Sequence, residues 1–177
     1  NIDVNKIEEK ITDKTKAIFI SPVLGNPPNI DKLIEICNKY NILFKEHNTD
    51  YLSNRSLRWH LKLGIHVANV APEFGVEETK TLIQILEIYK LNDILDKFLE
   101  LSYKSKKWEK WMMPNSTTTD REKAIISGHY VFSDPRFIDL KSVATNQLKR
   151  YNIDLDKELK TQIKNSIMRY LINFNII

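Results

Sequence analysis

Four polar residues in the first half of the chain, His47, Asp50, His66 and Glu73, are of types that carry chemistry. Two histidines and a carboxylate from neighbouring strand ends could hold Zn²⁺, which would polarise a carbonyl and stabilise an enediolate. In that reading His47 and His66 are the metal ligands, and His47, Asp50 and Glu73 are the catalytic groups. Their spacing is no local zinc signature, so both histidines also read as hydrogen-bonded strand residues filling a packed layer. Asn48 and Asn69 are candidate contacts to a sugar hydroxyl or a phosphate; for Asn69 a strand-end hydrogen bond is the alternative. Trp59, Trp108 and Trp111 could stack on a sugar ring or a base, although such residues more often pin a helical tail, with Met112 and Met113 packing beside them. Gly25-Asn26-Pro27 is a turn that lacks the glycines of a phosphate loop.

The elements that must position these groups follow from apolar spacing. Ile7 and Ile11 give a short helix over residues 5–12. Lys16-Ala17-Ile18-Phe19-Ile20 is a compact β-branched run and reads as a buried strand. Pro22 and Gly25-Asn26-Pro27-Pro28 make a turn, and Asn29 caps a helix with Asp31 in its first turn. Leu33, Ile34, Cys37 and Tyr40 share a face of that helix, which ends at Asn41 before a strand from Ile42. Strand, helix and strand at this spacing imply a parallel pair. A short helix over 57–63 precedes a third strand, Ile65 to Val70, which Pro72 and Gly75 break. Amphipathic helices follow over 76–89 and 92–103. A polar and aromatic segment covers 105–119, and further helices cover about 120–129, 137–151 and 155–174. The fold class is therefore α/β: an incomplete parallel sheet, βαβ plus βα, like part of a (β/α)₈ barrel, with an all-helical tail. Self-association through the exposed sheet edges is expected.

Composition narrows the function classes. The chain has 177 residues, too few for a complete (β/α)₈ barrel of about 250. Its single cysteine, Cys37, cannot form an intrachain disulfide and fits a reducing, cytoplasmic setting. It lies on an apolar helix face and is expected to be inert. No apolar run spans a bilayer, so no membrane partner is expected. The first residue is Asn1, which reads as part of a longer or processed product. Residues 104–177 carry 14 basic and 8 acidic side chains, so the net charge of +4 arises there. That surplus reads as a solvated helical surface or as a face for an acidic subunit. Without a finger or RNP motif, no nucleic-acid partner is expected.

Two resemblances meet near Phe44. Ile7-Glu8-Glu9-Lys10-Ile11-Thr12-Asp13-Lys14-Thr15-Lys16-Ala17-Ile18, then Gly25-Asn26-Pro27 and Ile34-Glu35-Ile36-Cys37, resemble the PLP-dependent sugar-nucleotide aminotransferases of the DegT type and their dehydrase relatives. In that family the second strand ends in an acidic residue facing the pyridine nitrogen, and His47 holds that position here. The family's imine lysine, or the histidine replacing it, has no matching segment. PLP is therefore not expected, and no residue is assigned to cofactor binding. Lys45-Glu46-His47-Asn48-Thr49-Asp50-Tyr51, Gly64-Ile65-His66 and Tyr130-Val131-Phe132-Ser133-Asp134 resemble the non-catalytic subunit of D-tagatose-1,6-bisphosphate aldolase. The second resemblance covers residues 45–177, with departures at Asn69 and Glu73. It implies the last strands and helices of a barrel over 45–103 and a helical tail over 104–177, joined to an aminotransferase-like piece over 1–44. The function it implies is sugar-phosphate metabolism beside a catalytic class II aldolase subunit, without self-sufficient catalysis. The alternatives are a metal-dependent lyase or epimerase acting on a phosphorylated sugar, and a fragment of a PLP-dependent sugar aminotransferase.

Overall fold

The computed structural model describes residues 2–21 and 27–177. Among these it contains a three-stranded parallel sheet and seven α-helices, so the chain is α/β with a helical C-terminal part. It packs as two compact units, residues 1–71 with 168–177, and residues 72–167. The segments drawn at residues 44 and 103 divide the chain by resemblance; these units divide it by packing.

In the first unit, β1 (Ala17–Ile20), β2 (Leu43–Glu46) and β3 (Val67–Ala68) lie side by side in the order β1-β2-β3. The register pairs Ile18 with Phe44 and Lys45 with Val67. β1 alternates: Ile18 and Ile20 are buried, while Phe19 is exposed. The expected buried strand is covered on one face only, as its period-two burial shows. Helix α1 (Ile30–Tyr40) starts where Asn29 Oδ1 accepts from the Lys32 amide at 3.0 Å. It ends where Asn41 takes the left-handed conformation, φ 51°, which Asn tolerates better than most residues. Leu33, Ile36 and Cys37 are its buried residues. Tyr40, expected on that face, is exposed, with its hydroxyl 3.4 Å from Glu8. The expected helix over 5–12 is two 3-10 turns, Val4–Lys6 and Glu8–Lys10. Pro22 and Gly25-Asn26 of the expected turn lie outside the described residues.

α2 (Asn54–Lys62) is capped by Ser53, whose hydroxyl accepts from the Ser56 amide at 3.1 Å. Trp59 on this helix is exposed, with Lys62 Nζ 4.8 Å from its ring centroid.

The second unit is helical: α3 (Pro72–Ile88), α4 (Asn92–Lys104), α5 (Asp120–Ser127), α6 (Pro135–Leu148) and the first part of α7 (Leu155–Asn173). Pro72 opens α3, where proline's fixed φ suits a helix start and its missing amide is not needed. Gly75 therefore sits inside the helix that it was expected to precede. A Cβ there would lie 2.6 Å from the His129 ring, so glycine is required for close packing. Leu86, Phe98, Leu148 and Leu155 are fully buried at the centre of this unit.

Candidate functional site at the carboxyl edge of the sheet

The site residues gather where β2 and β3 end. Beyond β2 the ladder continues by one bond, the His47 amide donating to Ile20 O at 2.9 Å. The backbone then turns through left-handed conformations at Asn48 (φ 64°) and Tyr51 (φ 60°). The Thr49 amide donates to Asn69 O at 3.0 Å, and the Ala71 amide donates to Asp50 Oδ1 at 3.1 Å. These bonds tie the loop after β2 to the chain after β3.

Across them, His47 Nδ1–H donates to Asn69 Oδ1 at 2.7 Å. In the neutral ring this bond selects the tautomer with the proton on Nδ1 and the lone pair on Nε2. The Phe19 ring meets the imidazole edge-on at a centroid distance of 5.2 Å, adding a second restraint. His47, Asp50 and Asn69 thus share one edge, and Asn48 is exposed in the loop between them.

His66 is elsewhere. The register sets His47 level with Asn69 and Phe44 level with His66, three residues back along the strands. At ~3.3 Å per residue that is about 10 Å, too far for one metal ion to bind both side chains. His66 Nδ1 instead accepts from the Phe44 amide at 3.1 Å, acting as a ladder acceptor where β3 begins. Glu73 lies in the first turn of α3, buried, in the second unit. Among the described residues no group of three or more His, Cys, Asp and Glu side chains is placed to hold a metal. His47 and His66 therefore do not form the expected Zn²⁺ pair.

Sequence reasoning does not single out a largely buried histidine–carboxylate pair beside this edge. His60, on α2, is 7% exposed, and its Nε2 lies 2.5 Å from Glu46 Oε2. Its Nδ1 lies 3.1 Å from Ser56 O. Both ring nitrogens face acceptors, and with Glu46 ionised the doubly protonated imidazolium satisfies both. Burial disfavours that cation, but the Glu46 carboxylate and the Ser56 and Leu57 backbone outweigh it, and the pKa of His60 is raised above its ordinary value. One signal was available: Leu57 and His60 are spaced i,i+3, so both fall on the buried side of α2. Thr49 is fully buried; its carbonyl accepts from the Tyr170 hydroxyl at 3.2 Å, and its Oγ1 has no partner among the described residues.

Comparison with known proteins bears on the first part of the chain. Residues 1–48 match the DegT/DnrJ/EryC1/StrS aminotransferase family. The chain is 40% identical over 50 residues to the GDP-4-keto-6-deoxy-D-mannose 3-dehydratase of Escherichia coli O55:H7, covering 28% of this chain and 13% of that protein. It is 38% identical over 55 residues to the enzyme of that name from Yersinia pseudotuberculosis, covering 31% of this chain and 14% of the relative. It is 42% identical over 52 residues to the lipopolysaccharide biosynthesis protein RfbH of Salmonella typhimurium, covering 29% and 12%. The match thus spans between 12% and 14% of the length of these relatives. No solved structure matches. The aldolase-subunit and barrel resemblances of residues 45–177 receive no support from these comparisons.

The expectation that excluded PLP is corrected by this match, because the family that residues 1–48 resemble is PLP-dependent. His47, which the resemblance sets against the family's acidic residue, is bonded to Asn69, while the adjacent Glu46 carboxylate is paired with His60. This donor set does not reproduce the carboxylate contact to the pyridine nitrogen that the resemblance implies. The first 48 residues, which form β1, α1 and β2, are similar to sugar-nucleotide biosynthetic enzymes of the DegT type.

Proposed function

We propose that the chain acts in sugar-nucleotide metabolism, as part of a DegT-type sugar-modifying enzyme, and that the carboxyl edge of its sheet contacts the sugar. The observation that supports this most is that the family match ends at residue 48, so that it takes in β1, α1, β2 and the histidine at the end of β2. Open parallel sheets bind ligands outside the carboxyl ends of their strands. There His47 Nε2, with Asn69 fixing the tautomer, accepts a hydrogen bond or a proton from a sugar hydroxyl. Asn48 supplies a further polar contact, and Asp50 holds the loop through the Ala71 amide.

The test is a titration of the full chain with GDP-mannose, following the imidazole ¹⁵N resonances. The expected result is a saturable shift of His47, lost in Asn69→Ala, with His60 unmoved. Absence of a His47 shift at millimolar ligand would refute the proposal.

A second reading concerns residues 49–177, which lie beyond the family match. The resemblance of residues 45–177 to a non-catalytic aldolase subunit begins close to where that match ends, which favours a two-part chain. In that reading its role is to support a catalytic class II aldolase subunit. Co-purification with such a subunit supports it, and failure to associate at micromolar concentrations removes it.

A further inference from the structure

The segment between α4 and α5 holds Trp108, Trp111, Met112 and Met113 together with Lys106, Lys107 and Lys110, against one acid, Glu109. The structure divides these residues into a base and a tip. Trp108 turns inward: its Nε1–H donates to Tyr103 O at 2.9 Å, and its ring stacks on Tyr103 with centroids 5.5 Å apart. Lys123 Nζ lies 4.9 Å from the Trp108 ring centroid and pairs with Asp120 at 3.0 Å. Trp111 and Met113 instead face water, 47% and 72% exposed. Lys110 Nζ lies 4.9 Å from the Trp111 centroid and 4.4 Å from that of Tyr130, so a cation sits beside the exposed indole. Lys106 and Lys107 are exposed. The charge of Lys104 is answered by Glu100 and that of Lys123 by Asp120, which leaves three lysines against Glu109 in the segment.

An exposed indole and thioether beside a stacked base, with Lys110 over the indole and two more exposed lysines in the same segment, match the chemistry of an anionic bilayer surface. Indoles settle at the headgroup boundary, and Lys side chains are drawn to anionic lipid. A base already ordered by the Tyr103–Trp108 stack reduces the entropy lost on docking. A nucleic acid would also attract the lysines, but Met113 offers it no stacking face. No described helix is long and apolar enough to cross a membrane, so the contact would be peripheral. We propose that the Trp111–Met113 tip docks the chain on an anionic phospholipid surface.

The test is co-sedimentation of the full chain with vesicles rich in phosphatidylglycerol or made of phosphatidylcholine alone. The expected result is partition about tenfold stronger to the anionic vesicles, weakened by salt. Two variants, Trp111→Ser with Met113→Ser and Lys106→Glu with Lys107→Glu, should each lose about tenfold while keeping the wild-type melting curve. Equal partition to both vesicles, no partition, or full binding by either folded variant overturns the proposal. Binding of poly-uridine RNA as tight as that of the anionic vesicles, and lost in the same variants, overturns it in favour of a nucleic-acid surface.

Discussion

Replacing Glu46 with Gln keeps the side chain's shape and an acceptor for His60 but removes the charge that holds His60 as a cation. In the wild type the two groups are 2.5 Å apart, with side chains 22% and 9% exposed. Removing one partner of a fully buried ion pair costs about 3–5 kcal/mol, while exposed pairs contribute ~0–1 kcal/mol. Glu46 keeps part of its exposure and Gln keeps one neutral hydrogen bond, so a loss of about 2 kcal/mol is expected near pH 6. The sign of the pH dependence is set by the raised pKa of His60. A cation whose folded pKa is raised stabilises fully below its unfolded value of ~6.5, and that contribution is lost as pH rises through the folded value. Wild-type stability should therefore fall from neutral towards alkaline pH, and the curve for Glu46→Gln should be flatter and converge on it. The assay is urea unfolding from about pH 6 to about pH 9, read from β1 and β2 amide resonances. A cycle of Glu46→Gln, His60→Gln and the double variant isolates the coupling. Parallel wild-type and variant curves at all pH values, or a coupling below ~0.5 kcal/mol near pH 6, would refute the assignment of His60 as an imidazolium held by Glu46.

Other expectations follow from packing. Gly75→Ala would drive a methyl to 2.6 Å from the His129 ring and should lower the stability of the second unit by about 1–3 kcal/mol in calorimetry. Ser102→Ala removes a buried hydroxyl that donates to Ala124 O at 2.6 Å and lies 3.0 Å from Ser127 Oγ, and should cost about 1–3 kcal/mol by chemical denaturation. Deleting residues 168–177 removes Tyr170 from Thr49, Arg169 from Asn54 and Phe174 from the His60 ring, so hydrogen exchange should accelerate across β2 and α2. The Asp134 carboxylate, paired with the Arg136 side chain and amide, is held at a pKa of about 2, and Arg136→Ala should return its NMR titration towards the ordinary 3.8.

The parts legible in the sequence are those determined within a few residues. Helix α1 was readable because its signals are local: Asn29 caps its start, Asn41 ends it, and Leu33 and Cys37 share one turn spacing. The parallel pairing of β1 with β2 followed, since a crossover helix of this length returns the chain in the same direction. The apolar run predicts a third strand from Ile65 to Val70, but pairing holds only over Val67–Ala68, because its limits depend on what β2 offers as partner. Pro72 and Gly75 misled for the same reason. Whether proline starts a helix or breaks a strand, and whether glycine bends the chain or admits a ring, depends on neighbours such as His129, which lies far along the chain. The chemistry divides similarly. His47 and Asn69 stand out by type, but their bond exists only because the register sets the ends of β2 and β3 level. The same register separates His66 from His47 and gives its ring to the Phe44 amide. Glu46 and His60 are 14 residues apart, and Thr49 and Tyr170 are 121 apart. No periodicity links residues at such separations; they meet only when the sheet, α2 and the chain's last residues pack into one unit.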